Sequence, residues 1–320
     1  MECLLRSLVA RLPADLLVRY PDLGPLYRKL AGHLGIEPDR LLLAAGSDGA
    51  IRTVFETFVA PGDRVVIPAP TFAMYAVYAR AFGAELVPIA YERGDQGPHL
   101  PIGRVFAEIA ERRPRLVCLP NPDSPTGTVT PPTQLVELVS AACETGTVML
   151  IDEAYFPFYA ESALPLVETF PNLVVTRTFG KAWALAGARV GFAVACQEMT
   201  AWLHKMRPMY EIGAVSAALT EMMLDHAEDV EQSVARLLAG KRHFLDEMTS
   251  LGFKTLRGHG NFLHVAFGER PAIHAALRGK VLYRRDFEEP CLAGYSRFSA
   301  TTREGFMPVI DLIRDAIGNG

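Results

Sequence analysis

The stretch Val174 to Phe192, VVTRTFGKAWALAGARVGF, sets one amine and one guanidinium, Lys181 and Arg189, on either side of a run of small residues. The residues LVVTRT that lead into it are β-branched and apolar, so they read as a buried strand that Gly180 interrupts. A lysine at a strand end among alanines and Trp183 is expected to be partly desolvated. That lowers its pKa and makes a neutral amine available as a nucleophile, which is what Schiff-base chemistry requires. Asp152 ends a second apolar run, VMLI, where a carboxylate is costly unless a cation pairs with it. A protonated pyridine nitrogen is such a cation; a local cap or salt bridge is the alternative. Tyr155, three residues on, can offer its hydroxyl to the same ligand.

Two further turns carry binding chemistry. In GSDG, Ser47 and Asp48 head a segment whose apolar residues Ile51, Val54, Phe55 and Phe58 fall on one helical face. Unpaired backbone N–H groups at such a helix start can hold a phosphate without any basic residue, although Ser47 or Asp48 could equally act as a plain helix cap. Phe72 follows Pro70 and Thr71 just after an apolar strand, a place from which a ring can stack on a planar ligand or simply fill the core.

The elements that must position these residues follow from the pattern of the whole chain. It has 320 residues, half of them hydrophobic and 21% charged, enough for a large core and two domains. The net charge of -4 gives no basic footprint for nucleic acid and no polybasic membrane patch. Five scattered cysteines lack metal-ligand spacing, so no metal is expected and a reduced, cytoplasmic setting is. The N-terminal residues have helical periodicity with charges among the leucines, unlike a signal peptide, and no run is long enough to span a bilayer.

Strand and helix signals alternate from Leu41 to Ala195, which predicts an α/β fold with a mostly parallel sheet and helices on both faces. The turns GSDG, PTF, NPDSPTG, DEAY and RTFGK each follow a strand, so they converge beyond the carboxyl ends, where ligands bind. No Gly-x-Gly-x-x-Gly opens the first unit, which argues against a dinucleotide enzyme. Residues 92–101 read as a loop. From Met199 onward the pattern is helical and then mixed, with strands at NFLHVAF, KVLYRR and YSRFSATT and a final amphipathic helix. The expected division is an N-terminal segment 1–34, a large domain 35–207 and a small α+β domain 208–320.

With these turns placed, the chain resembles the fold-type I pyridoxal-5′-phosphate (PLP) enzymes, class I/II, of the histidinol-phosphate aminotransferase kind. The resemblance runs from Tyr20 to the C-terminus through GSDGAI, APTFAMY, NPDSPTG, IDEAY, RTFGKAWALAGARVGF, GNFLHV, RRDF and SRFSATTRE, in family order. It implies that Lys181 carries PLP as a Schiff base and moves the substrate's α-proton, that Asp152 pairs with the pyridine nitrogen, and that Tyr155 bonds the phenolic oxygen. It further implies a phosphate cradle from Ser47 and Asp48, phosphate ligands in Thr178 and Arg189, and a stacking ring in Phe72. Ser124 stands where the family has an asparagine, and its shorter hydroxyl can still donate one bond to the phenolic oxygen. Tyr20 resembles a tyrosine that reaches the phosphate of the neighbouring subunit, implying a homodimer with shared sites. Arg297 matches the residue that binds the substrate's anionic group, with Arg285 as a second guanidinium and Asn261 also at the substrate end.

Some positions depart from that family pattern. Gly180 replaces a serine, Gly49 a glutamate and Thr301 a glycine, and 19 residues precede Tyr20 where a longer covering segment is usual. The resemblance implies a PLP-dependent aminotransferase that moves an amino group between an amino acid or amino-phosphate with an anionic end and a 2-oxo acid. The alternatives on the same fold are a decarboxylase, lyase or oxidase of specialised metabolism, or a scaffold without turnover.

Overall fold

Apolar runs between glycine-bearing turns become the strands of one seven-stranded sheet in the computed structural model, which describes residues 1–268 and 270–318. Its strands are β1 (Leu41–Ala44), β2 (Arg64–Ala69), β3 (Glu85–Ala90), β6 (Leu116–Pro120), β7 (Val148–Asp152), β8 (Leu173–Thr178) and β9 (Gly191–Ala195), ordered β1-β9-β8-β7-β6-β2-β3. Only β9 runs against its neighbours; the other pairings are parallel, as expected. Helices α1 (Glu2–Ala10) and α2 (Gly24–Leu34) precede the sheet. Then α3 (Gly46–Phe58), α4 (Met74–Ala81), α5 (Ile102–Ala107), α6 (Pro132–Thr145) and α7 (Gln197–Met206) follow or flank its strands.

Both faces of the sheet are covered, so every residue of β7 is buried rather than every second one. The period of two survives in which core each joins: Met149 and Ile151 pack on one face, Val148 and Leu150 on the other. Gly191 begins β9 directly beneath the start of α3. A Cβ there would stand 2.3 Å from the Gly46 carbonyl carbon and the Ser47 nitrogen, so only glycine lets the strand pass.

Helices α8 (Ala214–Met223), α9 (Ala227–Ser250), α10 (Pro271–Leu277) and α11 (Arg303–Gly318) accompany a second, antiparallel sheet of β10 (Lys254–Leu256), β11 (Phe262–Ala266) and β12 (Ser296–Ser299). Its core is built around Phe244, Leu263, Phe298, Phe306 and Ile310. Ile212, Met223 and Val234 instead pack in the cluster that holds Leu8 and Leu26.

Two expectations need correction. Residues 92–101 hold a small hairpin, β4 (Glu92–Gly94) and β5 (Gly97–His99), rather than an unstructured loop. KVLYRR forms no strand, only an isolated bridge between Arg284 and Arg297. Val281 and Tyr283 pack on the core of the small lobe, Tyr283 stacking on Phe298 at 4.9 Å, while Leu282 between them is 99% exposed. The alternation is that of a strand, but the backbone pairs at Arg284 alone, and propensity alone does not make a strand.

Candidate active site

The carboxyl edge of the large sheet brings its turns around one cavity of about 280 Å³. Ser47 and Asp48 reach it from the first turn of α3, Phe72 from the turn after β2, and Ser124 from the turn after β6. Asp152 and Tyr155 come from the end of β7, while Thr178, Lys181 and Arg189 come from the connection between β8 and β9.

Asp152 is 5% exposed and accepts three hydrogen bonds: from the Tyr75 hydroxyl at 2.8 Å, the Thr176 hydroxyl at 3.1 Å and the Ala154 N–H at 3.1 Å. Thr176 reaches it because the parallel register of β7 and β8 sets the two side by side. Burial pushes the Asp152 carboxyl up to about 6, against the pull of those hydrogen bonds. Among the described residues it has no ion-pair partner, so the local salt bridge considered from sequence is not formed. The adjacent Glu153 is the residue that pairs, with Arg177 at 2.9 Å, and Ser162 and the Ala163 N–H complete that buried cluster. This anchors the segment carrying Tyr155, whose ring lies edge-on to Phe262 at 5.3 Å.

Lys181 is exposed, contrary to the expected partial desolvation. Its Nζ stands 5.3 Å from the centroid of the Tyr155 ring, and the alanines around it are too small to strip water from an amine. Arg189 adopts left-handed backbone angles, φ 54° and ψ 48°, which cost a non-glycine residue on the order of 1 kcal/mol. That conformation brings its guanidinium over the start of α3, 3.0 Å from where a Cβ of Gly46 would stand. Neither cation has a carboxylate partner among the described residues.

No side chain caps α3, and the Asp48 carboxylate is occupied by the Tyr78 hydroxyl at 2.9 Å. The plain cap weighed from sequence is therefore absent, and the first-turn N–H groups beside Arg189 are left for a ligand. Thr178 uses its hydroxyl to accept the Gly180 N–H at 3.0 Å, which shapes the turn before Lys181. Phe72 is 36% exposed and edge-on to Tyr75 at 5.6 Å, so it is a wall of the cavity and not a core residue.

Arg297 of β12 is not itself in the lining of the cavity but reaches it through Ser124, donating to that hydroxyl at 3.3 Å, and lies over the Phe262 ring at 4.4 Å. The preceding Asp123 is fully buried, held by the Thr71 hydroxyl at 2.7 Å and the Tyr91 hydroxyl at 2.8 Å, and burial pushes it up to about 8. Besides Arg297, three of the sequence candidates are outside the lining and have no hydrogen bond to a residue in it among the described residues. Tyr20 is 79% exposed and stacks on Tyr210 at 4.6 Å, Arg285 pairs with Asp286 at 3.2 Å, and the Asn261 carbonyl accepts the Ala300 N–H at 2.8 Å. Tyr75, Thr176 and Asp123 escaped the sequence reading. Tyr75 had a signal, since it stands three residues past Phe72 in APTFAMY.

A buried carboxylate without a cation, two cations without an acid and a row of open N–H groups thus surround one cavity. That donor set fits a ligand with a protonated ring nitrogen, an aldehyde and a phosphate. Fold and site together define a fold-type I PLP enzyme.

The chain belongs to the family Aminotransferase class I and II, whose family model matches residues 19–312. It is similar to the histidinol-phosphate aminotransferase of Chlorobium luteolum, 31% identical over 93% of this chain and 84% of that one. The corresponding protein of Thermoanaerobacter pseudethanolicus is 30% identical over 84% of this chain and 76% of its own. In fold it matches the crystal structure of histidinol-phosphate aminotransferase from Sinorhizobium meliloti in complex with pyridoxal-5′-phosphate. There the TM-score is 0.86 and the identity 23%, covering 98% of this chain and 87% of that one. The enzyme is a PLP-dependent aminotransferase, and these findings favour transamination over the decarboxylase, lyase, oxidase and scaffold alternatives.

Proposed function

We propose that the amino donor is a small amine or amino acid with an anionic end, phosphate or carboxylate, as in histidinol phosphate, and that the acceptor is a 2-oxo acid. The observation that carries this reading is Arg297. Its guanidinium is half-buried and pushed down by desolvation, yet its only side-chain hydrogen bond among the described residues is to the neutral Ser124 hydroxyl. A cation placed so, beside the cavity and bonded to its lining residue Ser124, is matched by an anion, and its planar fork suits carboxylate or phosphate.

Bound in the cavity, PLP supplies an aldehyde that condenses with primary amines and a protonated ring that draws electrons from the substrate's α-carbon. The chain's own residues do the rest. The N–H groups of Ser47 and Asp48, with Arg189 and Thr178, hold the phosphate. Asp152 would keep a proton on the ring nitrogen, and Phe72 would offer the ring an aromatic wall to stack on. Tyr155 and Ser124 offer hydroxyls to the phenolic oxygen. Nζ of Lys181 takes the proton from the α-carbon and holds it for redelivery. Arg297 orients the donor, so that the bond to that proton is the one that breaks.

The same reading includes a cytoplasmic homodimer in which Tyr20 reaches the second copy's site. The exposure of the Tyr20–Tyr210 stack, with Leu17 at 79%, Val18 at 83% and Met209 at 77%, supports an apolar contact there. Among the described residues no helix is long and apolar enough to cross a membrane. We divide the chain at 34/35 and 207/208, with α8 and the start of α9 joining the two lobes. Arg285 and Asn261 keep a place at the substrate end only if they move toward the cavity when the donor binds. The test is a half-reaction with a panel of amines and no acceptor. Donors with a phosphate or carboxylate end should each yield one equivalent of oxo product, while equal turnover of neutral amines would refute the role of Arg297.

A further inference from the structure

Lys241 lies in the middle of α9, outside the cavity, and is only 5% exposed. Its Nζ donates to the Gly258 carbonyl at 2.5 Å and to the Gly260 carbonyl at 3.0 Å, and it forms no ion pair with any described residue. Burial pushes the ammonium down to about 8, so the fold keeps a costly cation there to hold two neutral acceptors. What it holds is the loop that joins the small lobe to the site. The His259 N–H donates to the Gly127 carbonyl at 2.7 Å, in the same turn as Asp123 and Ser124. Gly258 packs so closely on Gly127 that a Cβ on it would sit 3.1 Å from that residue's Cα. A Cβ on Gly260, at φ +92°, would meet the Phe262 ring at 3.0 Å and the Tyr155 ring at 3.4 Å. Phe262 in turn carries the Arg297 guanidinium on its face.

We propose that Lys241 is a positioning residue: by gripping both glycine carbonyls it fixes the loop that sets Phe262, and through it Arg297, against the turn of Ser124. The inference rests on the substrate role given above to Arg297. It assigns Lys241 to donor binding and not to cofactor binding, since the phosphate and ring contacts all come from the large sheet.

Two variants and two readouts test it. Lys241→Met keeps the stem and removes the donors, while Gly258→Ala presses on the same loop from the Gly127 side. In the holoenzyme each should raise KM for an anionic donor about tenfold with kcat changed by less than about threefold, the pattern of lost donor binding. PLP affinity should not move. In the cofactor-free protein, amide hydrogen exchange over 258–262 should quicken in Lys241→Met while 47–55 is unchanged, and this readout stands even if no donor is turned over. If Lys241→Met does not fold, Gly258→Ala decides. An unchanged KM with unchanged exchange, or a loss of PLP in step with kcat, would overturn the proposal.

Discussion

The phenol of Tyr75 donates to Oδ2 of Asp152 at 2.8 Å, joining the first turns of α4 to the end of β7 in the buried floor of the site. This bond stabilises the charged form of a carboxylate that burial would otherwise protonate. Tyr75→Phe should weaken PLP binding about tenfold, since a hydrogen bond to a charged group contributes about 1.5–3 kcal/mol. Titration of the cofactor-free protein checks this, and an unchanged Kd would reduce Tyr75 to a packing role.

Asp152 and Asp123, the two buried acids without an ion-pair partner among the described residues, give the cofactor-free protein a definite pH dependence. Both carboxyls are raised on folding, so their contribution is fully present below the ordinary value of 3.8. It is lost as pH rises through about 6 for Asp152 and about 8 for Asp123. Asp152→Asn should therefore stabilise the cofactor-free protein at pH 8, by up to about 3 kcal/mol, while lowering kcat of the holoenzyme about 100-fold or more. Denaturant unfolding at pH 4 and pH 8 reads the first effect. No gain at pH 8 would mean that Asp152 is not the strained group.

Arg189→Lys should cost about tenfold or more in PLP affinity, because a point charge does not reproduce the planar fork over the N-terminus of α3. Addition of free phosphate should compete with PLP less strongly in the variant than in the parent. Equal competition would place the phosphate elsewhere.

Gly32 lies inside α2, exposed, and a Cβ there meets nothing within 4 Å. Gly32→Ala should raise stability by about 0.5–1 kcal/mol through lower backbone entropy in the unfolded chain. Thermal unfolding measures the gain, and activity should not change.

The sheet and most of its turns were legible in the sequence because strands buried on both faces leave long apolar runs, and the turns that end them carry glycine and proline. Asp152 and Lys181 stood out for the same reason, as charges at the ends of such runs. What escaped depends on contacts between segments distant in sequence. Tyr75 meets Asp152 across 77 positions, and Thr71 meets Asp123 across 52. Lys241 is one of three lysines on helices, with Lys29 and Lys205, and nothing in the sequence sets it apart until the loop of Gly258 closes over it. Lys181 is exposed although its neighbours in sequence are small and apolar, because water access is set by the open connection between β8 and β9.

The chemistry proposed for the cavity requires a covalent link between Nζ of Lys181 and the aldehyde carbon of PLP. Borohydride reduction of the holoenzyme followed by peptide mapping tests it most directly. The reduced pyridoxyl label should be found on the peptide containing Lys181 at about one per chain, and be lost in Lys181→Ala. A label on another lysine, or none on a protein saturated with PLP, would contradict it.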